Sequence, residues 1–168
     1  DAQCKLENQN VVSANILMAD SCFFDVFPQK ILAGNAKQIL SQPLCCLIDS
    51  EMAATIGGNV VGKHFTLPNY QGITFTISGV FEAFPWSSSL HNTQIVLSMS
   101  SVPYVYSYDG RNQWVGNDCY ISYIRLAKGH DAEELKPYVD KMRQDHFPLK
   151  ELKNMGMELS YDFTVLSD

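Results

Sequence analysis

The sequence predicts an α+β domain. Three observations carry this. Over residues 72–83, Ile73, Phe75 and Ile77 alternate with Thr74, Thr76 and Ser78, the period of a half-buried strand. Leu135, Tyr138, Val139, Met142 and His146 recur at helical spacing and form the best amphipathic helix in the chain. Between these extremes, residues 44–49 make a compact apolar run of strand length that leads directly into a short helical stretch. With 168 residues, 46% of them hydrophobic, the chain can bury a real core as one domain or two small subdomains.

Taken in order, residues 1–10 are polar and predict a frayed start. Residues 11–19 are β-branched and apolar enough for a strand. Asp20 or Ser21 can cap a single helical turn that Pro28 ends, with Phe23, Phe24 and Phe27 forming a small core cluster. Residues 31–34 lead into a loop, and residues 44–49 form the next strand. Ser50 is expected as the N-cap of a helix over residues 51–56, stopped by Gly57 and Gly58. Residues 64–67 alternate as a strand. In the long strand that follows, Val80 falls out of phase with Ile73, Phe75 and Ile77, and Gly79 marks a bulge or a close backbone approach. Residues 84–89 break the pattern as a loop and residues 93–97 resume it. Residues 102–114 read as loop with one helical turn. Residues 119–126 predict a strand, Asp131 an N-cap, Glu133 and Glu134 a favourable first turn, and Pro148 the end of the helix. Residues 157–166 alternate as a closing strand, so the last third reads as strand, helix, strand, a βαβ-type unit.

Composition removes several function classes. The formal charge of −6 lacks the clustered Lys and Arg of a nucleic-acid-binding protein, and no polybasic run points to anionic lipid. No segment approaches the ~18 apolar residues of a membrane span. The chain opens on Asp1, as an excised piece or processed chain would. Cys4, Cys22, Cys45, Cys46 and Cys119 contain no C-x-x-C pair, so neither zinc nor thioredoxin-like chemistry is indicated, and most are expected as buried hydrophobes.

The segment 48–63 tests the eye. Gly57, four residues, Gly62 and Lys63 fit the start of a P-loop, but His64 stands where a Mg²⁺-binding Ser or Thr belongs. The context is also inverted: helix, glycine turn, strand. A phosphate loop needs a strand before it and a helix N-terminus after it. Ser87, Ser88 and Ser89 near His91 raise a hydrolase reading, but no nucleophile elbow is present. His64, His91, His130 and His146 lack metal-ligand spacing, and Asp109, Asp118 and Asp131 sit at turns, where Asp is common for local reasons. No catalytic, cofactor-binding or metal-ligating residue is assigned.

The order of short motifs resembles the MacB-like periplasmic core domain of ABC-transporter permeases, the superfamily that includes FtsX-like and lipoprotein-releasing permeases, in a Bacteroides-type flavour. The matching pieces are residues 20–27, 32–34, Leu40 with Pro43, 48–53, 61–63, 75–81, 85–89, 120–126 and 128–131. Residues 1–10 and 97–118 match poorly. The resemblance implies two lobes: an α/β lobe with βαβ units, ferredoxin-like, and an inserted mostly-β lobe over about residues 11–97. Residues 119–166 would supply the strand–helix–strand part of the α/β lobe, whose usual first strand–helix unit would lie ahead of Asp1. It implies a periplasmic domain of an inner-membrane protein that works without chemistry or cofactor of its own. Implied partners are an ABC ATPase subunit or domain, a second permease in a homodimer or heterodimer, and a periplasmic adaptor or outer-membrane factor, with no nucleic acid. The competing expectations are a stand-alone periplasmic ligand- or protein-binding module and, third, a hydrolase built on Ser88 and His91.

Overall fold

A computed structural model describes residues 2–106, 109–111, 113–114 and 120–166. The fold is α+β, and the chain divides into two units, Asp1–Asp109 and Gly110–Ser167.

The first unit is built on an eight-stranded sheet. Its strands are β1 (Ala2–Leu6), β2 (Val11–Ala14), β3 (Ile16–Ala19), β4 (Ile31–Ala33), β5 (Cys45–Asp49), β6 (His64–Leu67), β7 (Ile73–Phe81) and β8 (Ile95–Ser98). They lie in the order β2-β1-β6-β7-β5-β8-β3, with β4 also on β7. The pairs β3·β8 and β5·β7 are parallel and the remainder antiparallel. β2 and β3 occupy opposite ends of this order, yet only Asn15 separates them in sequence. One residue spans at most about 3.6 Å, so the sheet must curl until its two ends nearly meet.

β7 is the longest strand and the hub. Its first half pairs with β6 and its second half with β4 along one edge, while β5 occupies the other. Cys46 lies opposite Ile77 and Leu47 opposite Gly79, so Ser78 is an extra residue in the ladder. This β-bulge turns the strand by one side-chain position. Before it, Phe75 and Ile77 enter one core cluster; after it, Val80 enters that cluster and Phe81 the opposite one. Gly79 also lies where two backbones crowd: a Cβ there would sit 2.7 Å from the carbonyl of Ala33 and 2.8 Å from Ile39 Cδ1.

Both faces of the central strands are covered. On β5, Cys46 and Ile48 join one cluster and Leu47 the other; on β8, Ile95 and Leu97 join one and Val96 the other. Strands buried on both sides read as unbroken apolar runs. One face packs Met52 of α3 (Ser50–Ile56) and Val105 of α4 (Val102–Val105). The other packs α1 (Phe23–Val26) and α2 (Ala36–Leu40) through Phe23, Phe27, Ile39 and Leu40. The expected phenylalanine cluster forms there: Phe23 meets Phe24, Phe27 and Phe84 at centroid distances of 5.0, 5.2 and 6.3 Å.

Several sequence expectations are corrected. Residues 2–6 are not frayed but form β1, held between β2 and β6, with Cys4 fully buried; three apolar positions among polar neighbours suffice for a strand that has partners on both edges. The strand over 11–19 is two strands broken at Asn15. Residues 31–33 are a strand rather than a lead into loop. Asp49, not Ser50, is the N-cap of α3: its Oδ1 accepts the Met52 N–H at 2.6 Å, while the Ser50 hydroxyl accepts the Ala83 N–H at 3.2 Å. Either residue type caps well, and the choice falls to the one whose backbone is still extended.

In the second unit, Asp131 caps as expected, in a full capping box with Glu134. A 3-10 turn, Ala132–Leu135, leads into α5 (Lys136–His146), and α6 (Leu149–Asn154), which the sequence reading did not anticipate, follows Pro148. Trp114 stacks on His146 at 4.0 Å and meets Phe147 edge-on, and Phe147 in turn meets Tyr161. Arg143 donates to the Leu159 carbonyl and pairs with Asp140. Residues 120–126 and 157–166 are not in strand and do not join the sheet; Cys119 lies outside the described residues. Alternation marks a chain suited to a strand, but only a neighbouring strand in register makes one.

Candidate functional site

The P-loop-like segment folds as helix, turn and strand. Gly57 ends α3 at φ +76°, Gly58 and Gly62 also have positive φ, and β6 begins at His64. Lys63 Nζ donates to the Gly57 carbonyl at 2.9 Å, so the lysine closes its own turn. Strand register brings a distant residue to this turn. β1 and β6 pair Lys5 with Thr66 and Leu6 with Phe65, and the next step places Glu7 by His64, whose N–H donates to Glu7 Oε1 at 2.9 Å. The His64 Nδ1 lies 3.1 Å from Thr76 Oγ1.

A recess of about 100 Å³ opens here, lined by Leu6, Glu7, Asn8, Ile56, Lys63, His64 and Ile77. Ile77 is fully buried and Leu6 nearly so, so they leave little apolar surface open to the recess. No sequence motif announces this grouping, since Glu7 and Lys63 come to one recess only through the β1–β6 register.

The serine–histidine loop is organised differently from a nucleophile and base. His91 Nδ1 donates to the Ser88 carbonyl at 2.9 Å, and the Ser88 hydroxyl accepts the Leu90 N–H at 3.1 Å. Those are turn-forming bonds. The His91 ring lies 5.2 Å from that of Trp86, which is 88% exposed.

Cys4 and Cys46 are buried. Burial pushes the Cys4 thiol up to about 11. Burial also raises Cys46 well above its ordinary value, with the nearby Cys45 and Cys4 adding to the effect. Thiols in such surroundings are poor nucleophiles. Asp49 is 4% exposed, and burial holds its carboxyl above the usual value despite the bond from Met52. Among the described residues no group of three or more His, Cys, Asp or Glu side chains converges as a metal site, and no helix is long and apolar enough to cross a membrane.

Residues 4–142 match the profile of the MacB-like periplasmic core domain, well over half of the chain. The chain belongs to that family. Two solved structures are similar to it. One is the crystal structure of a domain of a Porphyromonas gingivalis protein described as a permease, with 29% identity and a TM-score of 0.76 over 89% of this chain and 67% of that one. The other is the periplasmic region of MacB from Actinobacillus actinomycetemcomitans, with 14% identity and a TM-score of 0.58 over 86% of this chain and 63% of that one; at that identity it shows the fold alone. The MacB-like domain seen here thus spans about two thirds of the length of these solved relatives. No curated protein matches it. Membership identifies the chain as an extracytoplasmic domain of the transporter-permease type.

Proposed function

We propose that this chain is the periplasmic domain of an inner-membrane ABC-transporter permease. In this reading it couples ATP hydrolysis on a partner ATPase to export or release of a substrate across the envelope, and performs no chemistry itself. Residues 11–97 act as the mostly-β inserted lobe, and residues 119–166 contribute to the α/β lobe around α5. The parent assembles as a permease dimer with an ABC ATPase, and a periplasmic adaptor or outer-membrane factor engages the domain.

The match of residues 4–142 to the MacB-like periplasmic core domain is the observation that carries this reading. The build of the first unit agrees with a mechanical role. A sheet packed on both faces, with Phe65, Phe75, Phe81 and Leu47 essentially inaccessible, has the low compressibility that passes displacement rather than absorbing it.

The test uses the full-length parent protein. Expected are its recovery in the membrane fraction, co-purification with an ABC ATPase, and loss of the transport phenotype, but not of ATPase assembly, when residues 1–168 are replaced by a short linker. A parent found in the soluble fraction, or one that transports normally without this domain, would overturn the proposal.

A further inference from the structure

Leu44 carries an unusual backbone. Among the described residues three non-glycine residues have positive φ: Gln9, Leu44 and Gln71. Both glutamines are exposed, in connections between strands. Leu44, at φ +58°, instead packs against the core cluster of Phe75 and Ile77 and stands immediately before β5. A leucine resists this region because its Cβ crowds the backbone, and such a residue persists only where its surroundings over-determine it. Two bonds do so here. The Leu44 N–H donates to Ser101 Oγ at 2.8 Å, and the Leu44 carbonyl accepts the Thr76 N–H at 2.9 Å. Ser101 is fully buried, as is Ser98, whose hydroxyl donates to the carbonyl of Leu40, the last residue of α2, at 2.6 Å. Two hydroxyls from residues 98–101 thus grip both ends of the α2–β5 connection.

We propose that Leu44 and Ser101 form a strained latch that couples the chain's exit from the first unit to the centre of the sheet. Closed, Ser101 holds Leu44 in the left-handed region and Leu44 holds Thr76. Open, Ser101 withdraws, the Leu44 N–H loses its acceptor, and the residue relaxes to negative φ. Its carbonyl then turns away from Thr76 and frees the β5–β7 ladder at its first pair, Cys45 with Thr76. Chain order supplies the handle. β8 passes into a 3-10 turn, Met99–Ser101, then into α4, and the first unit ends at Asp109. A pull along the chain from beyond Asp109 therefore meets Ser101 before it meets β8. A turn with nothing to release would carry glycine, which takes positive φ without strain, as this chain does at Gly34 and Gly57. The latch gives the proposed mechanical role a moving part and rests on that reading only for its use.

The experiment is amide-resolved hydrogen exchange on the 168-residue chain under native conditions, which reads local opening residue by residue. In Ser101→Ala the Leu44 amide should exchange about tenfold faster, the loss of one buried bond, and the Thr76 amide should follow it while the amides of β1 keep their protection. A serine that only satisfies Leu44 would expose Leu44 and leave Thr76 unchanged. In the double variant Ser101→Ala with Leu44→Gly, nothing is strained at φ +58°, so Thr76 should regain its protection. The proposal is overturned by unchanged Thr76 exchange in Ser101→Ala, or by a double variant in which Thr76 exchanges as fast as in Ser101→Ala. Should Ser101→Ala not fold, Leu44→Gly and Leu44→Ala decide the matter. Both remove the leucine side chain, but only alanine keeps the strain, so Thr76 should exchange about two- to fivefold more slowly in the glycine variant; equal or inverted rates would overturn the latch. None of these readouts involves transport, so the latch and the permease reading can each fail without the other.

Discussion

Asn15 is bonded to Gln94 through both of its backbone polar groups. Its N–H donates to Gln94 Oε1 at 3.1 Å, and its carbonyl accepts the N–H groups of Gln94 and Ile95, each at 3.1 Å. These bonds hold the single residue at which the chain passes from one end of the curled sheet to the other, and they set β3 in register with Ile16 opposite Ile95. Only the Oε1 contact depends on a side chain. Gln94→Ala should therefore leave the fold intact but orphan a part-buried N–H, at a cost of about 1–3 kcal/mol read from urea denaturation. Gln94→Glu, which keeps an acceptor, should recover most of that loss. Equal stability of the alanine variant and the parent would show that water satisfies Asn15 instead.

The second prediction concerns Gly79. A methyl group there would meet the Ala33 carbonyl at 2.7 Å and Leu47 Cδ2 at 3.1 Å, and a backbone oxygen in a paired strand cannot swing aside. Gly79→Ala should cost about 1–3 kcal/mol from overpacking. Gly57→Ala meets no atom within 4 Å but must adopt φ +76° and ψ +157°, a strain of about 1–3 kcal/mol. The two variants separate by relaxation: a second-site reduction of Ile39 to Val, which removes the Cδ1 lying 2.8 Å from the new methyl but leaves the Ala33 carbonyl, should recover part of the loss in Gly79→Ala and none in Gly57→Ala. Thermal melts of the single and double variants would check this.

Gly79 also shows what the sequence made legible. The phase change at Val80 was visible as a break in alternation, and the bulge at Ser78 is its cause. Local signals of this kind (the Gly57–Gly58 helix stop, the N-cap at Asp131, the phenylalanine cluster) read correctly because each is decided within a few residues. The readings that missed are those decided by distant partners. Residues 2–6 form a strand because β2 and β6 flank them, Asp49 caps in place of Ser50 because Ala83 engages the serine, and residues 120–126, apolar on both faces, and residues 157–166, which alternate, do not join the sheet. The recess at Glu7 and Lys63 falls in the same class, since only strand register brings these two residues to one opening.

Asp49 gives a pH-dependent prediction. Burial raises its carboxyl above the ordinary value of 3.8, so the folded chain holds this proton more tightly than the unfolded chain does. The contribution is then fully favourable below the unfolded value and is lost as pH rises through the folded one. Asn supplies the same Oδ1 acceptor for Met52 without the charge. Asp49→Asn should therefore be more stable than the parent at neutral pH, and the gap should close as pH falls below the unfolded value. Asp49→Ala should lose about 1 kcal/mol with the cap. Denaturant midpoints across acid to neutral pH would decide; a gap that widens in acid would contradict the assignment.

The thiols should divide by exposure. Cys22 is exposed, whereas Cys4 and Cys46 are buried with raised pKa values. A brief treatment with an alkylating reagent at neutral pH should label Cys22 in the native chain and reach Cys4 and Cys46 only with denaturant, as read by peptide mass spectrometry. Native labelling of Cys4 at the rate of Cys22 would mean that β1 opens far more readily than its pairing with β2 and β6 implies.

Lys63 decides whether the glycine-rich turn has anything to do with nucleotide. A phosphate loop places the anion at the positive N-terminus of a helix. Gly57 instead follows the C-terminus of α3, where the helix dipole is negative, and the Glu7 carboxylate lines the adjoining recess. The lysine that would meet the phosphate is bonded to the Gly57 carbonyl. Calorimetry with Mg-ATP should therefore show no binding that depends on Lys63, while Lys63→Ala, by freeing the turn, should lower stability by no more than about 1 kcal/mol for a part-exposed bond. Micromolar ATP binding abolished by Lys63→Ala would overturn the helix–turn–strand reading of this segment. A stability loss well beyond that bound, with no nucleotide binding, would instead show that the Lys63 tether is a principal support of the β6 entry.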